Sequence, residues 1–227
     1  MEKLTPERRR ELTRQTLVEA AADVFARKGF YGASLEEIAE AAGFTRGAIY
    51  SNFGSKEDLL YAVLEYSIDR QLQAVTGAME EEGGGAIADA VAASAAWRTA
   101  APLGDHWPAL SLELRLSALR NPEVRKRLAQ VERDSGEKVA RLIEQETARR
   151  GIHLRLSPRD LADISRAALD GLGQLAALDE EDAPRYQALS EKLFVLLAEV
   201  MTEPDNEAPD AVLDRPAERP SERPSGT

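Results

Sequence analysis

Apolar residues recur along most of this chain at helical spacing. The most informative stretch is residues 34–56, SLEEIAEAAGFTRGAIYSNFGSK. Ser34, followed three residues later by Glu37, predicts a capping box at the start of a helix. Leu35, Ile38, Ala39 and Ala42 then fall at i, i+3, i+4 and i+7, which makes one apolar face of two turns. Gly43 stands where a helix end takes a left-handed residue. Thr45 is set to cap a second short helix, with Ile49 and Phe53 on its inner side and Arg46, Gly47, Tyr50 and Ser51 on its outer side. Two helices joined by such a short turn form the helix-turn-helix unit, whose second helix enters the DNA major groove. On spacing alone an ordinary helical hairpin has the same pattern.

The helical pattern continues on both sides. Thr5-Pro6-Glu7 reads as an N-cap, a first-turn proline and a first-turn acid. Leu17, Ala21, Val24 and Phe25 share a face of the helix that follows, and Arg27-Lys28-Gly29 closes it. Ser55 and Asp58 open a long helix through Leu59, Leu60, Val63, Leu64, Ile68, Leu72 and Val75 to about Met79. Residues 80–85, three Glu then three Gly, predict a flexible break, and 86–98 an Ala-rich helix. Pro102, Gly104 and Pro108 punctuate a loop around His106 and Trp107. Leu110, Leu112, Leu114, Leu116 and Leu119 wrap widely around the next helix, as in a deeply buried one. Asn121-Pro122-Glu123 starts a long helix that Gly151 ends; Ser157-Pro158 opens another, and Pro184 the last. The fold class is therefore all-α, with about nine helices. From Glu203 the chain turns to Pro, Glu, Asp and Arg, so 203–227 is expected to be a disordered acidic Pro-rich tail.

The stretch from Phe25-Ala26-Arg27-Lys28-Gly29-Phe30 through Ile38-Ala39, Gly43, Gly47-Ala48-Ile49-Tyr50 and Phe53 to Lys56-Glu57-Asp58-Leu59-Leu60 resembles the tetracycline-repressor (TetR) family. Asn52 departs from the pattern: many members carry His or another aromatic residue there, which leaves the local contact and the operator open. The resemblance implies a DNA-binding domain at 1–56, with its helix-turn-helix at about 34–53, and an effector-binding and dimerisation domain at 57–202. Its implied DNA contacts are Ser34, Thr45, Arg46, Gly47, Ala48, Tyr50, Ser51, Asn52 and Lys56. Thr45 and Lys56 begin helices, where exposed N–H groups already favour phosphate.

TetR-like regulators pair through their last two long helices, here about 158–177 and 184–201, as a four-helix bundle. Leu161, Ser165, Ala168, Leu172, Leu189, Leu193 and Leu197 would lie at that seam. Gly171 and Gly173 each cost a helix roughly 1 kcal/mol relative to Ala, which close helix approach would offset. The resulting homodimer would read a pseudo-palindromic double-stranded operator. An effector pocket would lie among the fourth to eighth helices, where Trp97, His106, Trp107, Leu110, Glu113, Val131 and Ser135 are found, although large aromatics there more often belong to a core. Ser135-Gly136 interrupts the apolar stripe of Leu128, Val131, Val139 and Leu142, leaving room and a hydrogen-bonding group for a mostly apolar ligand.

Charge at first opposes DNA binding, with 29 basic against 40 acidic residues and a net charge of −11. Its distribution resolves the conflict. Residues 1–56 carry nine cations (Lys3, Arg8, Arg9, Arg10, Arg14, Arg27, Lys28, Arg46, Lys56) against eight acids, so the excess acid lies beyond them. The chain has no cysteine, which excludes disulfides and thiol chemistry. It has no apolar run near the roughly 18–20 residues a bilayer requires and no signal-peptide core, so a cytoplasmic protein is expected. His106 and His153 are the only histidines, and no metalloprotease, nucleophile-elbow or phosphate-loop motif occurs. The reading is a non-enzymatic, homodimeric, ligand-responsive transcriptional regulator, most simply a repressor, with no metal or cofactor. Its rival is a helical small-molecule-binding protein or enzyme without DNA-binding activity, which would have no use for Arg46, Tyr50 and Lys56 on one exposed face.

Overall fold

The computed structural model describes residues 5–82, 86–151 and 153–202, and among these it is helical throughout, apart from turns and short connections. The expected break at 83–85 and the expected tail at 203–227 lie outside the described residues.

Helix α1 (Pro6–Gly32) starts as its sequence dictates, with the Thr5 hydroxyl accepting from the Arg8 N–H at 3.2 Å and Pro6 in the first turn. Its ladder breaks at Gly29, whose φ of 69° and ψ of 176° belong to a region only glycine occupies readily. The break releases the Phe30 N–H from the helix, and that group donates instead to Glu113 at 3.1 Å. Helices α2 (Leu35–Ala41) and α3 (Arg46–Phe53) follow, joined by a turn in which Gly43 takes φ 72° and the Phe44 N–H donates to the Ala39 carbonyl at 2.8 Å. The long helix α4 (Lys56–Glu82) leads out of this module, capped by Ser55, whose hydroxyl accepts from the Asp58 N–H at 3.0 Å. Leu17, Phe25, Ile38, Ile49, Leu59, Leu60 and Val63 have essentially no solvent contact, so α1 to α3 and the first turns of α4 share one core. That packing unit runs past residue 56.

The remaining helices are α5 (Ala86–Thr99), a 3₁₀ turn at Gly104–His106, α6 (Trp107–Arg120), α7 (Pro122–Arg150), α8 (Pro158–Leu178) and α9 (Ala183–Thr202). Helix α5 lies between α4 and α9, α7 packs on α4, α6 and α8, and α6 reaches back to α1. Leu110, Leu114 and Ala118 of α6 and Leu128 and Val131 of α7 join the same buried cluster as Phe25 and Leu59, so no solvent layer separates the two halves. The opposite face of α6 is not buried as its sequence suggests: Leu112, Leu116 and Leu119 are exposed. Arg115 binds Asp170 of α8 at 2.5 Å and approaches Glu132 of α7 at 3.7 Å, which ties these three helices by charge.

Gly29 and Gly43 both hold positive φ, but only Gly29 also faces a partner, since a Cβ there would sit 3.1 Å from Glu113 Oε1 while none would meet anything within 4 Å at Gly43. Gly29→Ala should therefore lower stability by about 1–3 kcal/mol and more than Gly43→Ala does, as paired thermal melts will show.

Candidate DNA-binding surface and sensor helices

The short α2 is held by a complete capping box. The Glu37 N–H donates to the Ser34 hydroxyl at 3.2 Å, and the Ser34 N–H donates to Glu37 Oε2 at 3.1 Å. Lys28 of α1 pairs with the other oxygen of the same carboxylate, so one side chain fixes the start of α2 against the end of α1. Helix α3 is anchored on its inner side by Ile49 and Phe53. Thr45 occupies its N-cap position in extended backbone, yet its hydroxyl makes no capping bond.

Arg46, Gly47, Tyr50 and Ser51 form the solvent-facing side of α3, with Ala48 and Asn52 half-buried beside them. The Arg46 guanidinium pairs through Nη1 with Glu36 of α2 and donates through Nη2 to the Tyr50 hydroxyl at 2.8 Å. Tyr50 first and Glu36 second keep Arg46 firmly protonated. Asn52 turns back on its own helix, donating through Nδ2 to the Ala48 carbonyl at 2.8 Å. Two arginines of α1 complete the end of α3. Arg14 donates to the Asn52 carbonyl at 3.2 Å and stacks 4.4 Å from the Phe53 ring, and Arg10 donates to the Ser51 carbonyl at 3.4 Å. Cations at a helix C-terminus satisfy its orphan carbonyls and its dipole. The sequence offered no sign of this, because nothing local links residue 14 to residue 52. Arg8 and Arg9 remain exposed at the start of α1.

Lys56 is not directed outward with the α3 residues. Its ammonium donates to the Ala33 carbonyl at 2.6 Å and stands 4.6 Å from the Phe30 ring centroid, and burial lowers its pKa. The hydroxyl of Ser34 is likewise engaged in its cap.

Residues expected around an effector do not enclose one space. Leu110 and Val131 belong to the core, and Trp107 packs against it while its indole N–H donates to Asp170 at 3.1 Å. Glu113 is committed to Phe30, and His106 is exposed in the 3₁₀ turn. Trp97 is half-buried, its carbonyl accepting from Gln71 at 3.1 Å. Ser135 is half-buried on α7, and the room beside Gly136 is filled by the Arg159 guanidinium, which would lie 2.8 Å from a Cβ there. An open groove of about 470 Å³ lies instead between α5 and α9, walled by Val91, Ala95, Val195 and Leu196 and edged by the Arg98–Glu191 pair and Lys192.

On the last two helices, Leu161 is buried within the chain itself, whereas Ser165, Ala168, Leu172, Leu189, Leu193 and Leu197 are half-buried. The large exposed apolar residues of α8 are Ile164, Leu175 and Leu178, the last at 79%. A Cβ at Gly173 would meet Pro108 at 3.8 Å, whereas among the described residues one at Gly171 would meet no other element within 4 Å.

Residues 17–63, which span most of α1, all of α2 and α3 and the start of α4, match the profile of the bacterial regulatory proteins of the tetR family. The HTH-type transcriptional regulator UidR of Escherichia coli is 28% identical over 192 residues, 84% of this chain and 93% of UidR. Residues 17–63 thus carry a regulatory domain of the tetR type, and the chain is similar to such a regulator over most of its length. SrpR of Pseudomonas putida, another HTH-type regulator, is 48% identical, but over 54 residues that make up 24% of this chain and 25% of SrpR. A TetR-family regulator from Rhodococcus sp. shares the fold with a TM-score of 0.65 at 24% identity, covering 85% of this chain and all of that one (100%). FadR of Bacillus subtilis, solved in complex with stearoyl-CoA, superposes with a TM-score of 0.59 at 19% identity over 82% of this chain and 98% of its own. The protein is thus a DNA-binding transcriptional regulator, and among its described residues no helix is long and apolar enough to cross a membrane.

Two outcomes test these assignments within the N-terminal module. Lys56→Ala should lower stability by about 1–3 kcal/mol, as loss of a charged hydrogen bond does. It should leave the dependence of log DNA affinity on log salt unchanged, whereas a phosphate contact would reduce that slope by roughly one unit. Glu37 is held below its ordinary value of 4.5, chiefly by Lys28 and then by Ser34. Its contribution is thus complete above that value and is lost as pH falls through the lowered one. The gap in melting temperature between the parent protein and Glu37→Gln should stay constant down to about pH 5 and close in more acid solution.

Proposed function

We propose that the protein is a homodimeric, cytoplasmic repressor that reads a pseudo-palindromic operator with α3 and releases it when a small, largely apolar effector binds. The observation that carries this reading is the division of α3: Ile49 and Phe53 fix it to the core, and Arg46, Gly47, Tyr50 and Ser51 face outward. A guanidinium supplies the fork that guanine O6 and N7 accept, the missing Gly47 side chain lets the backbone approach closely, and two hydroxyls reach phosphates. Exposed Arg8 and Arg9 add cations on α1.

Dimerisation through α8 and α9 is supported by exposed Ile164, Leu175 and Leu178 and by open space at Gly171, where a partner helix fits closely. Recognition helices in a two-fold dimer need a separation of one helical turn of DNA, about 34–36 Å. For the effector we favour the α5–α9 groove over the residues around Trp107, because its walls are aliphatic and its edge holds Arg98 and Lys192. The stearoyl-CoA complex of FadR, a protein of the same fold, supports an amphipathic ligand of this kind. Helix α4 packs on α5 and carries α3 at its other end, so a shift of the groove wall has a route to the DNA surface. A ligand moves that equilibrium only by its differential affinity for the two arrangements.

The test begins with duplexes selected by the protein from a randomised pool. Arg46→Ala should weaken binding to the selected duplex roughly 10- to 100-fold and relax its base preference at one position of each half-site. Unchanged affinity and preference would overturn the assignment of α3. Titrating fatty acyl compounds, stearoyl-CoA among them, into the protein–duplex complex should release DNA. Leu196→Asp should abolish that release while sparing DNA binding, and release that survives it removes the groove from the reading.

A further inference from the structure

The pairing of Arg46 with Glu36 links α3 to α2 at the surface, and the cap of α2 does not depend on it. The α2 cap is made by Ser34 and Glu37, not by Glu36. The pair is a surface one, its side chains 54% and 60% exposed, so its own contribution to folding is small. Arg46 is also the first residue of α3, where a helix dipole disfavours a cation. The guanidinium is nevertheless held from two sides, by the Glu36 carboxylate on Nη1 and by the Tyr50 hydroxyl on Nη2 at 2.8 Å, with its carbon 5.3 Å from the Tyr50 ring centroid. The result is that the cation best suited to read a base is neutralised by an acid on the neighbouring helix.

Resting on the reading of α3 as the recognition helix, we infer that Glu36 is an affinity-setting residue: it retains Arg46 on non-cognate DNA and yields it only to a guanine edge. A neutralised Arg46 displaces no counterion from the phosphate backbone, and a carboxylate beside that backbone adds repulsion, so both effects weaken indiscriminate binding. Guanine presents two acceptors, O6 and N7, to the same fork that a carboxylate occupies. At a cognate site the guanidinium exchanges the single Glu36 oxygen on Nη1 for two guanine acceptors, and Glu36 returns to water. Adenine N7 and thymine O4 offer one acceptor each, so there the exchange gains Arg46 no bond over the one Glu36 gives it. Tyr50 keeps its hold on Nη2 and limits the directions in which the guanidinium can turn.

A mutant cycle of Glu36→Gln, Arg46→Ala and the double variant tests the inference. Each protein is titrated over a salt series with a duplex selected by the parent protein and with a scrambled duplex of equal length and composition. Glu36→Gln should raise affinity for the scrambled duplex roughly 1.5- to 5-fold, the size an exposed ion pair carries, and steepen its log–log salt slope by about one unit. Affinity for the selected duplex should rise by at least as much, because binding there has to break the pair. In the Arg46→Ala background the same substitution should have almost no effect. An equal gain in both backgrounds would overturn the inference, because Glu36 would then act as a repelling charge without Arg46. A loss of affinity for the selected duplex on Glu36→Gln would also overturn it, by making Glu36 a DNA contact. Arg46→Ala binding the selected duplex as well as the parent does is a different failure, that of the recognition-helix reading itself.

Discussion

Everything in this molecule depends on one unbroken apolar core that begins in α1 and ends in α7. Phe25, Ile38, Ile49 and Leu59 lock the helix-turn-helix pair, and the same cluster continues through Leu110 and Val131. Burial of each large side chain is worth about 1.5–3 kcal/mol, so the two halves cannot move apart as separate beads without exposing shared surface. The rearrangements left open are those that keep the core closed: a tilt of α4, a slide of α6 against α1, a change in spacing between α5 and α9.

The polar groups at the junctions are arranged to bias such movements. Glu113 reaches from α6 to the Phe30 N–H, freed by the break at Gly29, and Lys56 reaches from α4 to the Ala33 carbonyl three residues further on. Helices α6 and α4 thus both hold the end of α1 and its junction with α2 by the backbone. Arg10 and Arg14 hold the last carbonyls of α3 from α1. Several of the cations in the N-terminal module therefore hold its own helices together, while Arg8 and Arg9 stay exposed.

What the sequence made legible is what depends on neighbours three or four positions apart. The Ser34–Glu37 box, the positive φ of Gly43, the inward pair Ile49 and Phe53 and the caps at Thr5, Ser55, Asn121 and Ser157 all follow from local rules. What it concealed depends on partners brought together by packing. Ser135-Gly136 suggested a cavity, but Arg159 from the start of α8 lies across it. Trp107 suggested a ligand wall, but Asp170 takes its N–H. Lys56 at a helix start suggested phosphate, but the nearest acceptor is the Ala33 carbonyl. The α5–α9 groove escaped notice because small residues such as Ala95 and Ala188 line it, and alanine carries no signature of a binding wall.

The length of α4 has a geometric consequence. Its 27 residues make a rod about 40 Å long at 1.5 Å per residue. A rod of that length turning by about 5° carries its far end some 3.5 Å sideways, close to the rise of one base pair. In a two-fold assembly both rods turn together and the displacement doubles, which is enough to bring two reading heads out of phase with a helical repeat of roughly 34 Å. Small rotations deep in the sensor half, too slight to disturb packing, are thereby converted into errors of whole base pairs at the DNA.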